Sequence, residues 1–277
     1  MLRLLALALV PLALVSGSAA GGGGPLPGVI TGSTGTVDAA GAVRYVAMPS
    51  GDTTAVAAVR TRNGRILRYT TVPGAFGIAR VAFDGTAEGL SGDGKTLVLA
   101  DVGAESGETR FAVLRTAPLR LLTTITLSGL WSYDAVSPDG RTLYAIQYIS
   151  TGRDPRYAVR AVDVATGAPL GPVVVDKRNP DGRMSGSPWA RVRSADGAWA
   201  YTLYAKSGGT AFVHALDTTR KRAVCIDLPW RSATLTKIRL SLADRGRTLV
   251  LTQRPLGRVA TVNTRSFGVR VLERTLP

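Results

Sequence analysis

A short turn recurs along this chain, and its spacing limits what the chain can fold into. Ser91-Gly92-Asp93-Gly94-Lys95-Thr96-Leu97 returns as Ser137-Pro138-Asp139-Gly140-Arg141-Thr142-Leu143 and as Ser194-Ala195-Asp196-Gly197-Ala198-Trp199. A looser copy is Ser241-Leu242-Ala243-Asp244-Arg245-Gly246-Arg247-Thr248-Leu249, and Met48-Pro49-Ser50-Gly51-Asp52-Thr53-Thr54 reads as a degenerate first copy. The serines are spaced by 41, 46, 57 and 47 residues. A period in the forties, with several short strands per unit, marks modules that bury a core only by packing on their neighbours.

The strand pattern fits that reading. In the third unit, Trp131–Val136 leads into Ser-Pro-Asp-Gly, Thr142–Tyr148 alternates as a second strand, and Tyr157–Val164 is a third. Ala165-Thr166-Gly167 is a turn, and Leu170–Val175 is the fourth strand. The fourth unit repeats the scheme with 189–193, 199–204, 211–217 and 223–228. Asp-Gly suits the turns because Asp bonds nearby backbone amides and Gly takes positive φ freely. No segment sustains a helical period, so the expectation is all-β.

Ser137 to Tyr144, read with Val162-Asp163-Val164-Ala165-Thr166-Gly167, resembles the YVTN-type and TolB-like bacterial β-propeller repeats. The resemblance spans roughly 43–275 and implies a ring of four-stranded antiparallel blades with a binding habit and no fixed catalytic set. Five blades can be counted, where the family usually has six or seven. The ring is expected to close, with its termini meeting, over 43–277.

The amino terminus reads as an address. Met1-Leu2-Arg3 precedes an apolar run from Leu4 to Val15, and Ser18 and Ala20 suit cleavage after Ala20. The run is too short to span a bilayer, and no later stretch does so. The expectation is a secreted, extracytoplasmic protein with 1–20 as signal peptide and 21–42 as a flexible Gly/Ser/Thr/Pro-rich linker, in which Val29-Ile30-Thr31 could still add a strand.

Composition excludes several chemistries. The chain of 277 residues has one cysteine, Cys225, and one histidine, His214. That rules out an intrachain disulfide and a Cys/His zinc site, and no metal or cofactor is expected. Strand alternation is expected to bury Cys225. Gly89 to Thr96 matches the phosphate-loop pattern letter for letter, but a strand rather than a helix follows it, so it reads as an ordinary turn. His214 shares a strand face with Phe212 and Leu216 and, with no G-x-S-x-G elbow present, reads as a packed core residue.

Two features point to binding. Trp131, Trp189 and Trp230 each fall between the last strand of one blade and the inner strand of the next, which gathers them at one end of the ring. The alternative is that they wedge blades together. Loops at the same end carry Arg153, Arg156, Arg178 and Arg183, while Arg115, Arg120, Arg220, Lys221, Arg222 and Arg265 belong to the opposite end. The net charge is +15, and arginine outnumbers lysine 29 to 5, which also fits a compositional bias.

These observations predict a non-catalytic monomeric scaffold that engages a protein or an anionic envelope component through those tryptophans and arginines. Nucleic acid is not expected, since no recognition module is present. The alternative is a lactonase- or hydrolase-like enzyme with a channel site, for which the inner strands offer Asp134 and little else.

Overall fold

The computed structural model describes residues 28–103, 107–151, 155–176, 183–206, 209–231, 235 and 237–273. The signal-peptide reading of 1–20 lies outside them. Strand β1 (Val29–Ile30) comes first, and the first blade follows as β2 (Gly32–Val37), β3 (Val43–Ser50), β4 (Thr53–Arg60) and β5 (Ile66–Pro73). The second consists of β6 (Phe76–Arg80), the short β7 (Ala87–Glu88), β8 (Thr96–Asp101), β9 (Glu108–Thr116) and β10 (Leu119–Ser128). The third is β11 (Trp131–Val136), β12 (Thr142–Ser150), β13 (Arg156–Asp163) and β14 (Met184–Ser185). The fourth is β15 (Ser187–Arg193), β16 (Trp199–Ala205), β17 (Thr210–Asp217) and β18 (Arg222–Arg231). The fifth is β19 (Ile238–Ala243), β20 (Thr248–Gln253), β21 (Gly257–Asn263) and β22 (Val269–Val271). Pairing within each blade is antiparallel throughout. The molecule is all-β: among the described residues, four four-stranded sheets and one sheet enlarged to six strands by β1 and β7 are arranged as the blades of a β-propeller.

Each blade turns its first strand towards the axis. One end of the molecule, the turn end, carries the links between first and second and between third and fourth strands. The loop end carries the rest. Within a strand, side chains alternate between faces, and small and β-branched residues fill the spaces between blades. Val56, Phe76, Ile78 and Leu97 join blades one and two; Phe111, Val113, Tyr133 and Leu143 join two and three. Tyr144, Tyr157, Tyr204 and Phe212 join three and four; Tyr201, Leu203, Leu249 and Val259 join four and five. Among the described residues no such cluster joins five to one.

The turn motif works as the sequence suggests. In the third blade Asp139 Oδ1 accepts from Ser137 Oγ at 2.6 Å and from the Arg141 amide at 3.1 Å, and Ser137 Oγ accepts from the Thr142 amide at 2.9 Å. Asp93 and Asp196 repeat the pattern. The Ser137 hydroxyl bond, opposed by burial, holds the Asp139 carboxyl below its ordinary range.

Three expectations are corrected. Residues 28–42 are not spacer: β1 adds to the axis side of β6, and β2 is the inner strand of the first blade. Repeated Gly and Thr hid a strand whose partners lie further along the chain. The degenerate Ser50-Gly51-Asp52 copy sits between β3 and β4, at the loop end. The equivalent turn of the first blade is Asp38–Gly41, where Asp38 stands in the serine position and Oδ1 accepts from the Ala42 amide at 2.7 Å. The fourth strand of blade three is also shorter than expected. Pro169 and Val174 make isolated bridges to Val162 and Val159, and Met184–Ser185 completes the edge.

Candidate binding site

The axis is filled rather than open. After β6 the chain leaves the second blade in a hairpin and crosses to the fourth, where the Phe83 and Asp84 amides donate to the carbonyls of Pro188 and Trp189 at 2.9 and 3.0 Å. Beneath it lies Arg191, on the inner strand β15, with its side chain 1% exposed. Its Nη1 donates to Asp134 Oδ1 at 2.7 Å and Thr202 Oγ1 at 2.8 Å. Nη2 reaches the Asp134 carbonyl at 2.6 Å and Glu88 Oε2 at 3.3 Å, and Nε reaches Glu88 Oε1 at 3.2 Å. All the donors of a guanidinium are thereby engaged. Burial alone would lower the Arg191 pKa, but Glu88 and Asp134 overcome that and raise it. The axis thus holds a charged arginine between two carboxylates from two other blades.

The turn end of the axis closes by backbone packing. A side chain at Gly92 would begin 2.0 Å from the Asp196 carbonyl oxygen, so only glycine fits there. The Asp93 amide donates to the Pro138 carbonyl at 2.9 Å. The letter-perfect phosphate-loop pattern is therefore an interlock between blades, followed by β8 rather than by a helix.

At the loop end, the inner strands of blades two and three part to form a cleft of about 580 Å³. Leu130, Trp131 and Tyr133 wall it on one side, Ala79, Arg80 and Val29 on the other, with Asp101 to Gly103 at the rim. Trp131 is 6% exposed, and its Nε1 donates to the Ser128 carbonyl at 2.9 Å. Its amide donates to Thr109 Oγ1 at 3.0 Å, which fixes the start of β11. Two polar atoms here are buried without a partner, Arg80 Nε and the Tyr133 hydroxyl. Burial, with Glu88 nearby, raises the Tyr133 pKa, so the phenol stays protonated and able to donate. Asp101 is held by Arg110 at 2.8 Å.

The other sequence candidates are distributed differently. Trp189 is half-buried and packs on Phe83 at 5.5 Å between ring centroids. Trp230 lies on β18 rather than in a connection, is 3% exposed, wedges blades four and five, and donates from Nε1 to the Glu273 carbonyl at 3.1 Å. Arg156 and Arg183 are exposed. Arg153 and Arg178 lie outside the described residues. Arg183 borders a second cleft with Lys206, Phe212 and Cys225, beside blades three and four. Cys225 is only half-buried, because β18 is an outer strand and its face opens into this cleft. His214 is buried, with Nδ1 3.8 Å from Cys225 Sγ and its ring edge-on to Tyr204 at 6.2 Å. Burial lowers its pKa, with Asp134 opposing, so it sits neutral in the core.

Sequence reasoning found Asp134 but missed Arg191 and Glu88. The signal was a charged residue placed mid-way along inner strands of apolar character, in Ala190-Arg191-Val192 and Tyr133-Asp134-Ala135. A hydrolytic channel site would use such carboxylates. Here both are bound to one guanidinium. Among the described residues no group of three or more His, Cys, Asp or Glu is placed to hold a metal ion, and no helix is long and apolar enough to cross a membrane.

Fold and site together define a five-bladed β-propeller with a plugged axis and a cleft at its loop end. No known protein-family model matches the chain, and no curated protein matches it. Similar solved structures include a putative TolB from Agrobacterium tumefaciens, at 14% identity and a TM-score of 0.45, covering 86% of this chain and 78% of that one. They also include the Myceliophteria thermophila Cps50 (Swd1) beta-propeller domain, at 12% identity and a TM-score of 0.47, covering 90% and 71%. Kuenenia stuttgartiensis hydrazine synthase matches at 18% identity and a TM-score of 0.43, covering 86% and 77%.

Proposed function

We propose that this protein is an exported, monomeric, non-catalytic propeller of the YVTN or TolB-like kind that binds a partner protein segment at its loop end. The observation that carries this reading is the cleft beside Trp131. It is mostly apolar, with a few polar groups that could orient a guest, which is the usual composition of a binding cleft. The orphaned Arg80 Nε and Tyr133 hydroxyl are donors in want of an acceptor. They favour a segment that inserts an apolar side chain next to a carboxylate. Trp189, Arg156 and Arg183 are proposed to extend the contact around the same end, whereas Trp230 is packed between blades and takes no part.

A displayed library of random peptides tests this. Bound peptides should pair an aromatic or large aliphatic residue with Asp or Glu. Gly103→Trp fills the cleft from a position where an added side chain meets nothing within 4 Å, so it should abolish capture while thermal unfolding is unchanged. Trp189→Ala combined with Arg183→Ala should weaken capture at the rim. Peptides that bind Gly103→Trp as well as the wild type would refute this use of the cleft.

A further inference from the structure

The turn end carries a third cleft of different chemistry, about 520 Å³ in volume, between blades four and five. Five arginines line it: Arg220, Arg222, Arg245, Arg247 and Arg265. Its wall is aromatic, with Trp199 stacked on Tyr201 at 6.0 Å and against Phe267 at 5.7 Å. Asp217 is buried and holds Arg222 at 3.0 Å and Arg220 at 3.4 Å. Asp196 lines the cleft and Asp217 and Asp244 lie beside it, so the five arginines outnumber the carboxylates around them.

Backbone conformation marks the same place. The turn between third and fourth strands needs a left-handed residue, and blades one and three use glycine there, Gly64 and Gly167 at φ 70° and 71°. In blades four and five that position is Lys221 and Phe267, at φ 52° and 58°. The turn between first and second strands of blade five adds Asp244 and Arg245, at φ 53° and 57°. Every non-glycine residue with positive φ among the described residues therefore lies in the turns that frame this cleft. Side chains are kept where glycine would be easier, and strain of this kind gathers at functional sites. Thr264 ties two of the turns together, its hydroxyl donating to the Gly246 carbonyl at 2.8 Å and its amide to the Arg247 carbonyl at 3.0 Å.

We propose that this cleft binds a phosphomonoester carried on a ring-sized apolar group. A phosphomonoester has a charge of about −1.5 to −2 at neutral pH, which the excess of arginines attracts. Guanidinium forks engage its oxygens pairwise, and Trp199 and Phe267 receive the ring.

Calorimetric titration of the purified chain with phenyl phosphate, inorganic phosphate and phenol tests this. Phenyl phosphate should bind at least about tenfold more tightly than either fragment, and high salt should weaken it. Arg245→Gly removes one cation and relieves its left-handed backbone, so affinity should fall about tenfold while the thermal midpoint holds or rises. Arg265→Gln should weaken binding similarly without unfolding the protein. Wild-type affinity for phenyl phosphate in both variants, or tighter binding of a phosphodiester oligomer than of the monoester, would overturn the proposal. Neither result bears on the loop-end cleft.

Discussion

The arginine at the axis and the arginines at the turn end use the same side chain in opposite ways. Arg191 is sealed from water, and its donors are spent on Asp134, Glu88 and Thr202. Arg245, Arg247 and Arg265 are exposed, and no carboxylate pairs with them among the described residues. The first arrangement converts charge into blade registry; the second leaves charge available to a ligand. A net charge of +15 is therefore not one property of this protein. What matters at each arginine is whether a carboxylate is already bound to it.

Several substitutions can break or sharpen that contrast. Arg191→Met leaves two buried carboxylates without their cation and should cost about 3–5 kcal/mol in denaturant unfolding. Gly92→Val would drive a side chain into the Asp196 carbonyl, and the forced shift should cost about 1–3 kcal/mol, losing stability at the opposite end of the same interlock.

Acid should act on the sealed core and spare the exposed arginines. His214 is neutral when folded because burial lowers its pKa. The unfolded chain therefore binds more protons than the folded one below the ordinary histidine value of 6.5. Stability should fall as pH drops through that value, and His214→Phe should flatten the fall in melts recorded across the range. The smallest effect is expected at Arg265→Gln. An exposed, unpaired arginine should change stability by under about 0.5 kcal/mol, measured in the same unfolding assay.

Much of the fold was legible because its signals are local. Ser137, Asp139 and Gly140 act within one turn, and the alternation of Trp199–Tyr204 is visible in any short window. The first blade was harder to read. Its inner strand lies in a Gly- and Thr-rich segment, and Asp38 replaces the serine that marks the other turns, while Gly51-Asp52 makes a convincing turn at the wrong end. The axis was not legible for a different reason. Arg191 meets Asp134 across 57 residues of chain and Glu88 across 103, and no spacing rule joins them. The tryptophans fall on strands rather than in connections, Trp131 and Trp189 at or near the start of inner strands and Trp230 at the end of an outer one. Whether Trp131 and Trp230 face solvent or a neighbouring blade depends on packing that one blade's sequence does not contain.

The sealed axis is tested most directly by comparing Arg191→Met alone with a triple variant that adds Glu88→Met and Asp134→Val, using urea unfolding of each. If the triad serves structure, the single variant loses about 3–5 kcal/mol and the triple variant recovers more than half, because no buried charge is left unpaired. A single variant within about 1 kcal/mol of wild type, or a triple variant more damaged than the single one, would contradict it.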